Sequence, residues 1–218
     1  MPSHVFTSHP RSVAFVVCLF TAIGCGIAPA RATDFPISGT ITINGTAGAL
    51  PSGGSFAGSA YSLVTGDIAS GVFTFPVATL SFDTTFGPAT ATYQFTQTNT
   101  SSGQVAGDGV AALSNASMKL QVLSATVNSV PLGIGTCVFQ PIVLSLAGTG
   151  STAGLDLSDD SFTIPPAPAG DCGSFRTQIN DAVAGSTNSL QMHMAGNFTP
   201  PSPNDTIFAD GFELSGRP

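Results

Sequence analysis

The chain of 218 residues is long enough for one well-buried domain or two very small ones. Only 8% of its residues are charged and its formal net charge is −7, which disfavours nucleic acid and anionic lipid as partners. Because 42% of the residues are hydrophobic and 16 are phenylalanine, the composition also argues against a disordered chain.

The N-terminal residues have the three parts of a secretory signal peptide. A weakly basic head ends at Arg11, a short apolar run covers residues 13–27, and small residues form an A-x-A site that ends at Ala32. We predict a signal peptide over residues 1–32, a secreted or envelope-associated mature protein, and no transmembrane segment in that mature chain. In an alternative interpretation, Cys25 near the end of the apolar run is acylated and anchors a lipoprotein.

Alternation of apolar and polar residues predicts strands through most of the mature chain. The period is cleanest at residues 35–43 and 89–96, where every second residue faces one buried side. Polar and glycine-rich stretches, such as Asn99–Gly103, are predicted as loops. Further strands are predicted at residues 54–64, 72–82, 117–127, 138–146, 162–164 and 190–194.

Two of these strands carry an irregularity. Pro76 interrupts residues 72–82, which indicates an edge or a bulge because proline cannot donate to a strand ladder. The apolar positions of residues 117–127 change phase at Leu123, which indicates a bulge or a crossing between two sheets.

One segment has a helical period instead. Phe175, Ile179 and Val183 are spaced by four, which predicts a short helix at residues 174–184 that lies over an open end of the sheets. Many short strands and one helix predict an all-β fold, either an antiparallel β-sandwich or a small soluble β-barrel. We assign residues 33–199 to a single domain.

The C-terminal residues 200–218 read as a Pro-rich linker and a tail. Within the tail, Ile207–Glu213 resembles a short C-terminal signature of otherwise unrelated secreted proteins of some gammaproteobacteria. The body contains the short features Gly135–Cys137, Phe162–Pro165, Cys172–Gly173, Ile179–Asn180 and Asn188–Ser189. With these features it resembles a group of exported all-β bacterial domains without assigned function. Together the two resemblances imply export in a bacterium and bring no catalytic residues.

The mature chain holds two cysteines, Cys137 and Cys172, since the other two lie in the predicted signal peptide. Two cysteines in an exported chain usually form a disulfide, and this one would tie a predicted strand to the start of the helix. The alternatives are a redox pair, which is usually spaced as Cys-x-x-Cys, and metal ligands, which require further Cys or His residues nearby.

His193 is the only histidine after the predicted signal peptide and therefore the only ordinary candidate for a base near neutral pH. Its place between two methionines fits the solvent face of a strand, and the sequence has no Gly-x-Ser-x-Gly motif, so we predict no catalytic residue. Asp156, Asp159 and Asp160 lie between two predicted strands. A solvated turn explains them, with a Ca²⁺ site as the alternative and no metal site or cofactor assigned.

The sequence therefore predicts an exported, non-catalytic β domain that acts by binding or as an envelope component, with its partner and oligomeric state open. Two alternatives remain. A hydrolase would be centred on His193 together with a serine and an aspartate. A carrier of a small apolar ligand would line its cavity with Phe73, Phe75, Phe82, Phe95 and Phe139.

Overall fold

A computed structural model describes residues 33–58, 60–62, 64–84 and 86–201. The predicted signal peptide, Cys25 and the tail residues Ile207–Glu213 lie outside the described residues. The helical elements are a 3-10 turn at Gly173–Phe175 and the helix α1 at Arg176–Val183. The strands are β1 (Thr33–Ile43), β2 (Thr46–Ala49), β3 (Gly54–Gly58), β4 (Ala60–Tyr61), β5 (Asp67–Thr74), β6 (Ala78–Thr84), β7 (Gly87–Gln97), β8 (Ser101–Val105), β9 (Val110–Val127), β10 (Val130–Pro131), β11 (Val138–Gly150), β12 (Gly154–Ile164) and β13 (Gly185–Ala195).

Eight of these strands form a closed antiparallel barrel. Their order around the ring is β9, β11, β12, β13, β1, β3, β5 and β7, and β7 pairs with β9 to close it. The shorter strands β2, β4, β6, β8 and β10 pair with members of this ring. The predicted all-β class with one short helix is confirmed, and of the two expected architectures the chain adopts the barrel.

Side chains from every second strand position fill the barrel. In β1, Ile37 and Ile43 are buried, as the alternation at residues 35–43 predicts. Aromatic rings pack against one another: the ring centroid of Phe73 lies 4.8 Å from that of Phe56 on the neighbouring strand and 6.0 Å from that of Phe75, two residues further along the chain. Each such buried ring contributes about 1.5–3 kcal/mol relative to an exposed one. These buried aromatic residues therefore belong to a packed core.

The strand β9 is 18 residues long and changes its buried face at bulges. Near Asn115, which has a φ of 62°, β9 has one more residue than the β11 segment opposite it. At Leu123 it again has one extra residue, because the register with β7 skips that position. The phase change predicted at Leu123 is therefore a bulge, which lets one strand curve around the ring.

Three stretches differ from the sequence prediction. Residues 72–82 belong to two strands, β5 and β6, because Pro76 lies in the turn between them. The predicted loop Asn99–Gly103 contains the start of β8, whose Ser- and Gly-rich residues are ordered by ladders to β5 and β9. The aspartates predicted to lie in a turn are inside β12, since pairing with β11 and β13 outweighs the low strand propensity of aspartate.

One end of the barrel, here called the helix end, is covered by α1, as the sequence predicts. Ile179 is buried, and Val183 faces a crevice of about 30 Å³ that β1, β6, β7 and β9 also line. The irregular segment before the helix is fixed by hydrogen bonds of 2.9 Å, in which Arg176 Nε donates to the carbonyl of Ala167 and the Ala167 N–H donates to Asn180 Oδ1. Within the described residues, no helix combines the length and the apolar character that a membrane crossing requires.

Asn188 is a buried polar residue at the helix end, with 1% of its surface exposed. Its Oδ1 accepts a hydrogen bond of 2.9 Å from the N–H of Asn44. Its Nδ2 donates to the carbonyls of Phe162 and Gly185 at 3.0 and 2.7 Å. One amide therefore satisfies backbone groups of three segments that meet where the strands end.

The opposite end, here called the C-terminal end, is closed by aromatic rings. After β13, the chain turns inward and buries Phe198 completely. The Phe198 ring lies 4.6 Å from the ring of Phe35 and 5.1 Å from that of Tyr61. The Tyr61 hydroxyl donates a hydrogen bond of 2.6 Å to the carbonyl of Thr199, and desolvation by burial raises the pKa of Tyr61.

Candidate binding groove on the outer face

An open groove of about 510 Å³ crosses the outer surface of four neighbouring strands, β11, β12, β13 and β1. Each strand contributes two or three consecutive residues, so the groove, here called the outer groove, runs across the strands rather than along one of them. Its volume falls within the range of about 300–1,000 Å³ that small-molecule sites occupy. The lining residues are Gly39, Thr40, Ala147–Thr149, Asp156–Ser158 and Gln191–His193.

Strand register aligns the polar side chains of the outer groove in two rows. In one row, Thr149 pairs with Asp156 and Asp156 pairs with His193, and Ser38 of β1 continues that row beside His193. The neighbouring row consists of Ala147, Ser158, Gln191 and Thr40. Residues distant in sequence therefore form one polar surface because the antiparallel ladders place them side by side.

Two glycines shape the floor of the outer groove. A Cβ atom added to Gly39 would lie 2.0 Å from the carbonyl oxygen of Gln191, and one added to Gly148 would lie 1.7 Å from that of Asp156. Neither position can hold a side chain, so the neighbouring backbones approach each other closely there. Glycines of this kind mark sharp bends in barrel strands, and the outer groove lies over both of them.

The outer groove contains the one histidine–carboxylate pair found among the described residues. His193 Nδ1 lies 2.7 Å from Asp156 Oδ1, and the two side chains are 39% and 67% exposed. The hydrogen bond orients the imidazole, because it fixes which ring nitrogen faces the carboxylate. The pair therefore adds an oriented imidazole and a carboxylate to the hydroxyl and amide groups of the groove.

The imidazole of His193 lies over β12 rather than over β1. A Cβ atom added to Gly154 would lie 2.4 Å from His193 Cε1 and 2.8 Å from its Nε2. Ser38, the neighbour of His193 on β1, is on the other side of β13. In the described part of the chain, His193 is hydrogen-bonded to Asp156 and to no serine hydroxyl. The contact between a serine nucleophile and its base that a hydrolase requires is thus not formed by these residues.

The three aspartates suggested as Ca²⁺ ligands are not brought together. Asp156 is on the outer face beside His193, whereas Asp159 is 7% exposed and accepts hydrogen bonds from the N–H groups of Ser145 and Ser161 at 2.7 and 3.1 Å. Asp159 thereby satisfies backbone groups at a bulge in β12. Among the residues that the structure describes, no cluster of three or more His, Cys, Asp or Glu side chains is arranged to hold a metal.

The predicted cysteine pair lies at the helix end, away from the outer groove. The Sγ atoms of Cys137 and Cys172 are 1.99 Å apart and both residues are fully buried. The Cys172 N–H also donates to the carbonyl of Thr136 at 2.6 Å, and the Val138 N–H donates to Asp171 Oδ2 at 3.2 Å. The disulfide and these bonds hold the segment before α1 against the start of β11, as the sequence predicts for the pair.

The phenylalanines suggested as the lining of a ligand cavity pack against other core residues. Phe73, Phe75, Phe95 and Phe139 are buried, and the rings of Phe75 and Phe95 meet edge to face at a centroid distance of 6.3 Å. Phe82 is half-buried and lines the crevice beneath α1. That crevice of about 30 Å³ is far smaller than the range of about 300–1,000 Å³ that small-molecule sites occupy.

Sequence reasoning found part of this arrangement. It placed His193 on the solvent face of a strand, but it missed Gly39 and Gly148, whose role depends on neighbouring strands. It also missed Asn188, although this polar residue shares the inward alternation of the last strand and could have been found by that signal. The outer groove is thus identified by geometry alone.

Comparisons of the chain with protein-family models, with curated proteins and with solved structures found no match.

Proposed function

We propose that the protein is an exported, non-catalytic binding domain and that the outer groove is its binding site. The observation that carries this proposal is the convergence of polar side chains from four strands on one open concavity. A concave surface lined by hydroxyl, amide, imidazole and carboxylate groups can bind a polar ligand through hydrogen bonds. Export is supported by the signal-peptide pattern of residues 1–32 and by the pairing of Cys137 with Cys172.

The alternative functions have weaker support. A carrier requires a cavity for its ligand, and the rings of Phe73, Phe75 and Phe95 pack against other rings of the core. A hydrolase would use the His193–Asp156 pair, but the described residues supply no hydroxyl nucleophile at hydrogen-bond distance from His193. A binding function at the outer groove requires neither an internal cavity nor a nucleophile.

A titration monitored by backbone NMR tests the proposal. The purified protein is titrated with a panel that contains neutral oligosaccharides, an acidic oligosaccharide, an unstructured peptide and a fatty acid. We expect at least one member to shift resonances of residues on β11, β12, β13 and β1, and the Ser158→Trp variant to abolish those shifts by filling the groove. The same change at Ser124, an exposed residue of β9 outside the groove, is the control and should leave them intact.

Two outcomes contradict the proposal. Shifts that remain in the Ser158→Trp variant would place the ligand elsewhere. Shifts confined to core residues such as Phe75 and Phe95 in the presence of fatty acid would favour the carrier. In either case, the outer groove would not be the binding site.

A further inference from the structure

The backbone groups beneath the outer groove are already used by the barrel. Asp156 and Ser158 pair with β11 on one side and with β13 on the other, and Gln191 and His193 pair with both β12 and β1. A bound chain therefore cannot add to the sheet as a further strand, which is the main way in which β proteins bind extended peptides. Recognition in the outer groove depends on side chains.

The available side chains are uncharged donors and acceptors. In the described part of the chain, the side chains of Thr40, Thr149, Ser158 and Gln191 form no hydrogen bond with other protein groups. Each hydroxyl can donate one hydrogen bond and accept others, and the amide offers both functions. Between them, the glycine methylenes and Ala147 present C–H groups. This alternation of hydroxyl, amide and C–H surface is complementary to a sugar ring, which has the same groups.

The charge of the groove argues against anionic ligands. No lysine or arginine lines it, so an anionic chain would find no cationic partner. Its single carboxylate, Asp156, is already hydrogen-bonded to His193 Nδ1. The whole mature chain also has three basic and 12 acidic residues, so anions are repelled at longer range.

We infer that the outer groove binds a neutral, hydroxyl-rich oligosaccharide chain laid across β11, β12, β13 and β1. This inference rests on the proposed binding function of the same groove. The lining has no aromatic ring for stacking on the sugar, so binding depends on hydrogen bonds to side chains that water solvates when the groove is empty. Removal of a single side chain that makes such bonds should therefore lower the binding affinity by a measurable factor.

The test uses isothermal titration and NMR with neutral hexasaccharides of glucose and of N-acetylglucosamine as probes, a galacturonic acid hexasaccharide as the anionic probe and a Gly/Ser-rich peptide as the peptide probe. We expect a neutral hexasaccharide to bind and to shift the resonances of Thr149, Ser158 and Gln191. The Gln191→Ala variant should bind it about tenfold more weakly, which corresponds to about 1.4 kcal/mol. The Ser124→Ala variant, changed outside the groove, should bind as the unaltered protein does.

The remaining outcomes separate this inference from the proposed function. Binding of only the anionic or the peptide probe, with shifts in the outer groove, would overturn the oligosaccharide inference and leave the binding function standing. If none of the probes shifts groove resonances, or if shifts occur only elsewhere, the inference and the assignment of the groove both fail. An affinity that is the same in the Gln191→Ala variant would also overturn the inference.

Discussion

The two ends of the barrel are closed by different kinds of interaction. At the helix end, an irregular segment and α1 cover the opening, and a disulfide, the Asn188 amide and bonds to Ala167 hold them. At the C-terminal end, the chain beyond β13 closes the opening with Phe198 and two neighbouring rings. An irregular cover exposes backbone N–H and C=O groups that must be paired when buried, whereas a short apolar plug requires few such bonds. The comparison shows that an irregular covering segment needs hydrogen bonds and a disulfide to hold it, whereas a short apolar segment is held mainly by the packing of its rings.

The largest expected effect is at the C-terminal end. Phe198→Ala removes a completely buried ring and should lower the free energy of unfolding by about 3–5 kcal/mol. Urea denaturation followed by circular dichroism measures this change. Phe86→Ala is the matched control, because Phe86 is 69% exposed and its loss should change stability by no more than about 0.5 kcal/mol. Similar losses in both variants would mean that the aromatic plug does not stabilise this end.

Removal of the disulfide should have the second largest effect on stability. The double variant Cys137→Ala, Cys172→Ala opens a loop with a sequence separation of 35 residues and should lose about 3–4 kcal/mol in the chain-entropy model. Amide hydrogen exchange in this variant then shows which of the two ends is destabilised. Amides near Cys172 and Val138 should exchange faster than in the unaltered protein, while those near Phe198 should keep their relative protection. Uniform acceleration at both ends would contradict the separation of the two closures.

Asn188→Ala should have a smaller effect at the helix end. The change leaves the Asn44 N–H and the carbonyls of Phe162 and Gly185 without their partner, and we expect a loss of about 1–3 kcal/mol. The denaturation midpoint measures it, with Gln191→Ala as a control of an exposed amide on the same strand. If the two variants are equally stable, the buried amide does not stabilise the helix end.

The smallest effect appears only in alkali and involves both ends. Desolvation by burial raises the pKa of Tyr93, which lines the crevice beneath α1, and that of Tyr61 in the aromatic plug. Burial favours the neutral phenols in the folded protein. Their contribution to the free energy of unfolding is therefore fully present below the unfolded pKa of about 10, and it is lost as pH rises through their higher pKa values in the folded protein. Tyr93→Phe should therefore reduce the loss of stability between about pH 9 and about pH 11, measured by denaturation at each pH. An unchanged alkaline profile would contradict this.

Local patterns in the sequence predict much of this fold. The alternation at residues 35–43 gives β1, the spacing of Phe175, Ile179 and Val183 gives α1, and the phase change at Leu123 gives a bulge. Each of these signals lies within one segment, where the period reports which face is buried. The cysteine pair could also be predicted, because only two cysteines remain after the predicted signal peptide.

The closure of the barrel and the outer groove could not be predicted in this way. The strands β8 and β12 have weak local patterns and are ordered by their neighbours. His193 and Asp156 are 37 residues apart, and their contact depends on the register between β12 and β13. Gly148 shapes the groove only because of how closely the backbone of Asp156 approaches it. These features depend on pairings between distant segments, which a single sequence does not reveal.

The chain enters and leaves the described barrel at the C-terminal end. β1 begins at Thr33 where the antiparallel β13 is ending, and Pro201 lies against Gly66 of the same end, with a Cβ added to Gly66 3.2 Å from its Cδ. Thr149 and His193 are one and two residues from the ends of their strands, so the outer groove comes within about 10 Å of that end. The two points at which the described chain joins the barrel therefore lie at the end nearest the groove, and a ligand-bearing partner linked there through a short connection would meet the groove at a high effective concentration.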